Sequence, residues 1–301
     1  MIRSLSGRGN RSVAVLLLLL CFSIRIASEE PILLSFLGDL IPHGSLHRIE
    51  EGAFADLAPY LREDDLTFAN LETPLHTGRP PSGFPSFNAP PSFAEAAVKG
   101  GVEVFGLANN HTLDQGPEGV AETAGAFRRL ARKHPALRWS GLEGWGAGMP
   151  EPEVLLVRGH RIGFLSVTQF LNAWPEEPYD MVNLLDGSNL DRFLQRLPEL
   201  TGSVDFFLLG YHGNALEEYR LQPAPEKERL MAELIEAGVD LVWGHHPHVP
   251  QTPRIVRGPG GRKVTTFPRA VAEAWSERWS PFYRQRERIL RHAARWEISD
   301  P

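Results

Sequence analysis

Three histidines stand within four residues in Gly244-His-His-Pro-His248, directly behind the largely apolar run Val239-Asp-Leu-Val-Trp243. Four more stretches end in the same way. Asp39 follows an apolar run, Asn70 and Glu72 follow a second, Asn109, Asn110 and His111 a third, and His212 a fourth. Taken singly, a Gly-Asp turn, an Asx turn or a loop histidine is ordinary. Together, imidazole, amide and carboxylate groups placed after successive apolar runs are the donor set of a hard-to-borderline divalent ion, Mn, Zn or Fe, held as one ion or two. A thiolate site is excluded, because the single cysteine, Cys21, lies in the N-terminal segment. An ion held by nitrogen and oxygen lowers the pKa of a water to near neutrality, so hydrolysis is the default chemistry.

Something must bring those run ends together. The runs cover residues 32–39, 66–72, 102–111, 161–169, 204–213 and 239–248, and most are continuously apolar, as strands buried on both faces are. Helices are expected between them at 92–99, 116–133, 190–197 and 226–237, the last stopped by Gly238. Alternation of this kind predicts an α/β sheet with helices on both faces and a site at the strand carboxyl ends. The chain has 301 residues, 42% of them hydrophobic and 23% charged, which suits one large domain with appendages. A formal net charge of −6 gives no sign of a nucleic-acid groove.

Residues 1–28 read as an export signal: Arg3, Arg8 and Arg11 precede an apolar run over 13–22. That run is shorter than the roughly 20 residues needed to span a bilayer, so cleavage near Ala27 or Ser28 is expected, with an uncleaved anchor or a lipid on Cys21 as alternatives. All place the body in the periplasm, on the cell surface or on the outer face of the cytoplasmic membrane.

Five ordered motifs resemble the capsule-synthesis CapA family, the poly-γ-glutamate synthesis proteins of the metallo-dependent phosphatase-like superfamily. They are Gly38-Asp39, Asn70-Leu-Glu-Thr-Pro-Leu75, Ala108-Asn-Asn-His-Thr-Leu-Asp-Gln-Gly116, His212-Gly213 with Glu218-Tyr219, and Gly244-His-His-Pro-His-Val-Pro-Gln251. The resemblance implies a layered α/β/β/α sandwich over residues 30–260. It makes Asp39 a first-metal ligand, Asn110 and His212 second-metal ligands, and His246 with His248 a closing pair, His245 being an alternative to His246. Glu72, or else Asn70, would bridge two ions. His111 would act on the substrate as proton donor or charge stabiliser, with Asp114 orienting it or capping the following helix. Ile41 stands where typical metallophosphatases carry a histidine, a departure CapA-like chains share. The implied substrate is an anionic polymer or a phosphoester, and the implied partners are membrane-bound capsule-synthesis components.

The remaining conspicuous residues have plainer readings. Asp65 is a turn or strand-start residue, and His43, His47, His76, His134 and His160 are surface or loop histidines. Residues 76–93, rich in proline and glycine, form a long loop leaving the same end of the sheet as Glu72, a candidate lid. Arg79 in that loop, and Arg254 and Arg257 after the histidines, are candidate contacts for an anionic substrate. Residues 261–301 lack the Ser-Leu-Gly-Asn-Phe motif normal for CapA-like chains and show no clear buried strand. They read as a divergent tail or a frameshifted ending that would leave a sheet edge unpaired. The alternative is a genuine basic helix over 284–296 that binds membrane or polymer.

Overall fold

The computed structural model describes residues 32–42, 54–55, 57–144, 148–172, 180–249, 251, 254–257, 263–268 and 294–298, the last three segments as backbone. The export segment, His43 and His47 lie outside them. No helix among the described residues is long and apolar enough to cross a membrane.

Two sheets pack face to face. The first has the order β11-β1-β2-β3-β4, from β1 (Ile32–Leu40), β2 (Leu66–Leu71), β3 (Val104–Gly106), β4 (Arg138–Ser140) and β11 (Ala294–Ile298). The second has the order β5-β6-β7-β8-β10-β9, from β5 (Glu153–Val157), β6 (His160–Thr168), β7 (Phe206–His212), β8 (Leu241–His245), β9 (Arg254–Arg257) and β10 (Lys263–Pro268). β1 to β4 run parallel, as do β6, β7, β8 and β10, while β11, β5 and β9 join their neighbours antiparallel.

The continuous apolar runs follow from this layering. Phe36 and Phe68 of the first sheet meet Phe164, Leu208 and Trp243 of the second in one buried cluster between the sheets. Phe36 and Phe68 stack at 5.1 Å, and Phe164 meets Phe68 edge-on at 5.4 Å. The outer face of the first sheet is covered by α2 (Pro91–Lys99) and α3 (Gly116–Lys133), through Phe93, Phe127 and Leu130; α1 (Ala58–Leu61) adds Leu61. The outer face of the second is covered by α4 (Gly187–Gly202) and α5 (Pro225–Glu236), through Phe193, Leu197 and Leu234. Two sheets, each with helices on its outer face, make the layered α/β/β/α sandwich that the resemblance implies, and correct the one sheet with helices on both faces expected from the alternation of runs alone. A strand facing a second sheet is as apolar as one facing a helix, so its sequence does not distinguish the two.

An acidic residue marks the start of several strands. Asp65, Glu103, Asp205 and Asp240 accept the backbone N–H of Leu33, Thr67, Arg161 and Phe207 at 2.8, 2.9, 2.7 and 2.8 Å. Each sits just before its strand and satisfies a donor on the neighbouring one, the strand-start role expected of Asp65. Carboxylates thus fix the amino ends of the sheets, leaving the imidazoles at the other end.

The tail departs from expectation in two places. β10 pairs with β8 and β11 pairs with β1, so strands lie where none was clear and the β1 edge is partnered. Of the helix proposed over 284–296, residues 294–296 are strand, and 284–293 lie outside the described residues. The alternating Ala-Arg-Trp-Glu-Ile of β11 has the two-residue period of a sheet edge, which a search for continuous apolar runs passes over.

Candidate metal centre

Strand register sets the ligands. Asp39 on β1 is opposite Asn70 on β2, and His212 on β7 is opposite His245 on β8. Packing the two sheets brings these pairs together: His245 Nδ1 lies 2.6 Å from Asp39 Oδ1. Glu72 is two residues beyond Asn70, where β2 has ended, and is fully buried.

Two groups of donors form around it. Asp39, Glu72 and His212 make one, and Glu72, His246 and His248 the other, the donor atoms within each lying no more than 4.8 Å apart. The same oxygen, Glu72 Oε1, is 3.9 Å from His212 Nε2 and 3.8 Å from His248 Nε2. Glu72 is thus the residue common to both groups. Asn70 is a hydrogen-bonding brace: its Nδ2 lies 3.0 Å from Asp39 Oδ1 and 3.5 Å from Glu72 Oε2. Of the adjacent histidines, His246 joins a ligand group while His245 holds Asp39. Among carboxylate and imidazole donors, His212 groups with Asp39 and Glu72; Asn110, which the resemblance pairs with His212, is an amide outside such groups.

The residues fit a divalent ion. His212 is 1% exposed and its Nε2 has no hydrogen-bond partner among the described residues; the same is true of Asn110 Oδ1, at 4% exposure. Buried polar atoms left this way are costly unless something else satisfies them. Burial pushes the His212 pKa well below 6.5, with Asp39 opposing and the other histidines reinforcing. Burial, with His248 and Lys227 reinforcing and Asp39 opposing, pushes His246 down to about 4. Both rings are neutral at pH 7, the form that coordinates metal.

Local backbone also marks the site. His246 and His248 have φ of 89° and 53°, and Asn214 and Tyr219 on the loop after β7 have 68° and 61°. Four side-chain-bearing residues in the left-handed region within two loops is the strain that a site retains when surrounding contacts hold it. Gly213 follows His212 because a Cβ there would stand 2.4 Å from the Tyr211 ring.

His111 lies on the turn after β3. Its Nδ1 is 2.7 Å from Asp114 Oδ2, so Asp114 orients it. The same Asp114 oxygen accepts Phe87 N at 2.7 Å, and the Phe87 ring meets His111 edge-on at 4.6 Å. The loop 76–93 is thus packed on His111, with Asn88 Nδ2 tying together the carbonyls of His76, Arg79 and Pro80. Asn172, on the loop after β6, places its Nδ2 3.4 Å from both His111 nitrogens. Arg79 turns toward α3, donating to Gln115 Oε1 at 3.2 Å and pairing with Glu118 at 3.6 Å. Arg254 and Arg257 bound β9, and their side chains lie outside the described residues.

Sequence reasoning missed Asn172, Glu217 and Lys227. Glu217 and Lys227 are fully buried as a 2.9 Å ion pair beside the ligand loops. A lysine in an amphipathic helix reads as solvent-facing, and nothing in its spacing marks it otherwise.

The sequence profile of the bacterial capsule synthesis protein PGA_cap matches residues 33–263. The chain belongs to this capsule-synthesis family. It is 25% identical over 248 residues to the capsule biosynthesis protein CapA of Bacillus anthracis, covering 76% of this chain and 57% of that one. Against the PGA biosynthesis protein CapA of Bacillus subtilis (strain 168) it is 22% identical over 255 residues, covering 78% and 62%. The chain thus spans less than two thirds of the length of these curated capsule-synthesis relatives. Among solved structures, a 5'-nucleotidase precursor from Thermus thermophilus aligns with a TM-score of 0.43 and 16% identity, over 78% of this chain and 48% of that one. A putative 5'-nucleotidase from Staphylococcus aureus aligns at 0.45 and 14%, over 85% and 58%.

Proposed function

We propose that this chain is an exported, metal-dependent hydrolase that cuts or remodels an anionic cell-surface polymer of the poly-γ-glutamate type. One observation carries the reading: Glu72 Oε1 lies between His212 Nε2 and His248 Nε2, at 3.9 and 3.8 Å, so two donor groups share a carboxylate. Asp39, Glu72 and His212 would hold one ion and Glu72, His246 and His248 the other. Ions of the Mn, Zn or Fe type supply Lewis acidity and a nucleophilic water at neutral pH. The protein's own work is then to position and to move a proton. His111, fixed through Nδ1 by Asp114, presents Nε2 as the proton donor to a leaving group. Asn172 offers an amide N–H beside it for a substrate oxygen.

Family membership supports the polymer, and the basic, apolar segment over 3–22 supports export. The His111 and Asp114 pair supports catalysis over polymer binding alone, since binding does not need an oriented imidazole.

The test is metal analysis of the purified protein, followed by hydrolysis assays on γ-glutamyl and phosphodiester substrates. Two equivalents of a transition metal with γ-glutamyl cleavage are expected. Phosphodiester cleavage alone would reassign the substrate, and absence of bound or bindable metal would remove the reading.

A further inference from the structure

Lys227 lies near the start of α5 with its side chain 0% exposed, and its Nζ is 2.9 Å from Glu217 Oε2 and 3.4 Å from the carbonyl oxygen of His245. Glu217 is equally buried and belongs to the loop after β7. Its Oε1 accepts the N–H of Ala224 and lies 3.5 Å from Asn214 Nδ2. The pair therefore joins three segments: the loop after β7, the first turn of α5 and the end of β8. Two further bonds tie that loop to the histidine turn, with Tyr219 N donating to Pro247 O at 2.7 Å and Gln251 Nε2 donating to Arg220 O at 2.8 Å.

The geometry around this pair explains how the histidine turn keeps its shape. His245 is still held in the sheet by β7, whereas His246 has left it with φ at 89° and His248 follows at 53°. Neither conformation is favoured by a histidine on its own. We infer that Lys227 and Glu217 are positioning residues for the ion group Glu72, His246 and His248, acting as a buried strut that holds the turn, and that Asp39, Glu72 and His212 do not depend on them. This rests on the metal-centre reading above. A fully buried ion pair is weak as a source of stability, since apolar replacement of both partners is often neutral or better, so a role in placing neighbouring groups gives it a reason to be there.

The experiment is titration calorimetry of the metal-free full chain with Mn²⁺, for wild type, Lys227→Met and Glu217→Gln, with a melting curve for each. Glutamine at 217 cannot accept from both Lys227 and Ala224, because one of its two terminal atoms is itself a donor. The expected result is loss of about 10- to 100-fold in affinity at one of two ion sites in both variants, the range seen for groups that orient metal ligands. The signs decide between position and charge. Removing a positive charge beside a cation site strengthens binding and removing a negative one weakens it, so opposite changes in the two variants would overturn the strut. Unchanged affinity with a lowered melting temperature would overturn it too, leaving a structural pair. If Lys227→Met does not fold, the double variant Lys227→Met/Glu217→Gln, which leaves the net charge of the pair unchanged, decides: loss at one site supports the inference, while no loss or equal loss at both overturns it. A wild type that binds no Mn²⁺ would instead remove the metal centre itself.

Discussion

Asp39 at the end of β1 and His245 at the end of β8 meet at 2.6 Å, one from each sheet. This contact joins the sheets at the point where the ligand groups form. Asp39 is fully buried and His245 nearly so, at 2% exposure. A carboxylate accepting from an imidazole Nδ1–H is held in one rotamer, which fixes the direction of its other oxygen.

Because Glu72 is common to both ligand groups, its loss and the loss of a histidine have different consequences. Glu72→Ala is expected to abolish binding of both ions. His212→Ala and His248→Ala are each expected to lose one ion and retain the other. Elemental analysis of the three variants after reloading with Mn²⁺ checks this. Loss of both ions in every variant would show a single coupled site.

The ligand types were legible in the sequence because each sits where an apolar run stops. Asp39, Glu72, His212, His246 and His248 are drawn together by strand register within each sheet and by the packing of the two sheets. What could not be read was which donors share an ion, since that depends on how two sheets face each other. β5 illustrates the limit for the fold. Its Val154 and Leu156 are exposed and Leu155 and Val157 buried, so an edge strand was hidden in the short apolar stretch Val154–Val157 ahead of the longer β6. Lys227 illustrates it for the site, because its partner Glu217 is ten residues away on a loop with no periodicity.

His111 and Asp114 are expected to affect turnover without affecting metal content. His111→Ala should bind both ions and lose hydrolysis by about 100-fold or more, the usual contribution of a positioned general acid. Asp114→Asn should also keep both ions, with a smaller loss in kcat, since the 2.7 Å bond to His111 Nδ1 weakens without removing the ring. Single-turnover rates alongside metal analysis distinguish these results, and metal loss in either variant would place His111 in the ion site.

The aromatic layer between the sheets is expected to dominate stability. Phe68 is 0% exposed and contacts Phe36, Phe164 and Trp243. Phe68→Ala should cost about 3–5 kcal/mol, by lost burial plus the cavity left between two rigid sheets. Urea unfolding of the metal-free protein measures it.

Acid should destabilise the metal-free protein through His246 and His212. The unfolded chain takes up protons near pH 6.5, whereas native His246 resists until about pH 4 and His212 lies well below its ordinary value. Between those limits the unfolded state binds more protons, so stability falls as pH drops. His246 alone accounts for about 3 kcal/mol by this linkage, complete below its native pKa and absent above pH 6.5. His246→Asn should flatten part of that slope in urea titrations from pH 7 to pH 4. An unchanged slope would mean that His246 titrates alike in the native and unfolded protein.

Glu103 should act in the opposite direction. Burial raises its pKa from 4.5 to about 7, Asp64 adds to the rise, and the hydrogen bond from Thr67 N opposes it. The native state therefore holds a proton that the unfolded chain releases near pH 4.5, and stability from this residue falls as pH rises from 4.5 through 7. Glu103→Gln keeps a carbonyl oxygen for Thr67 N, 2.9 Å away in the native protein, and cannot ionise. The variant is expected to match the wild type at pH 4 and to exceed it in stability at pH 8. The difference between the two urea midpoints should open across the window from pH 4.5 to 7. A constant difference over that range would show that Glu103 stays ionised, held by the Thr67 hydrogen bond against the cost of burial.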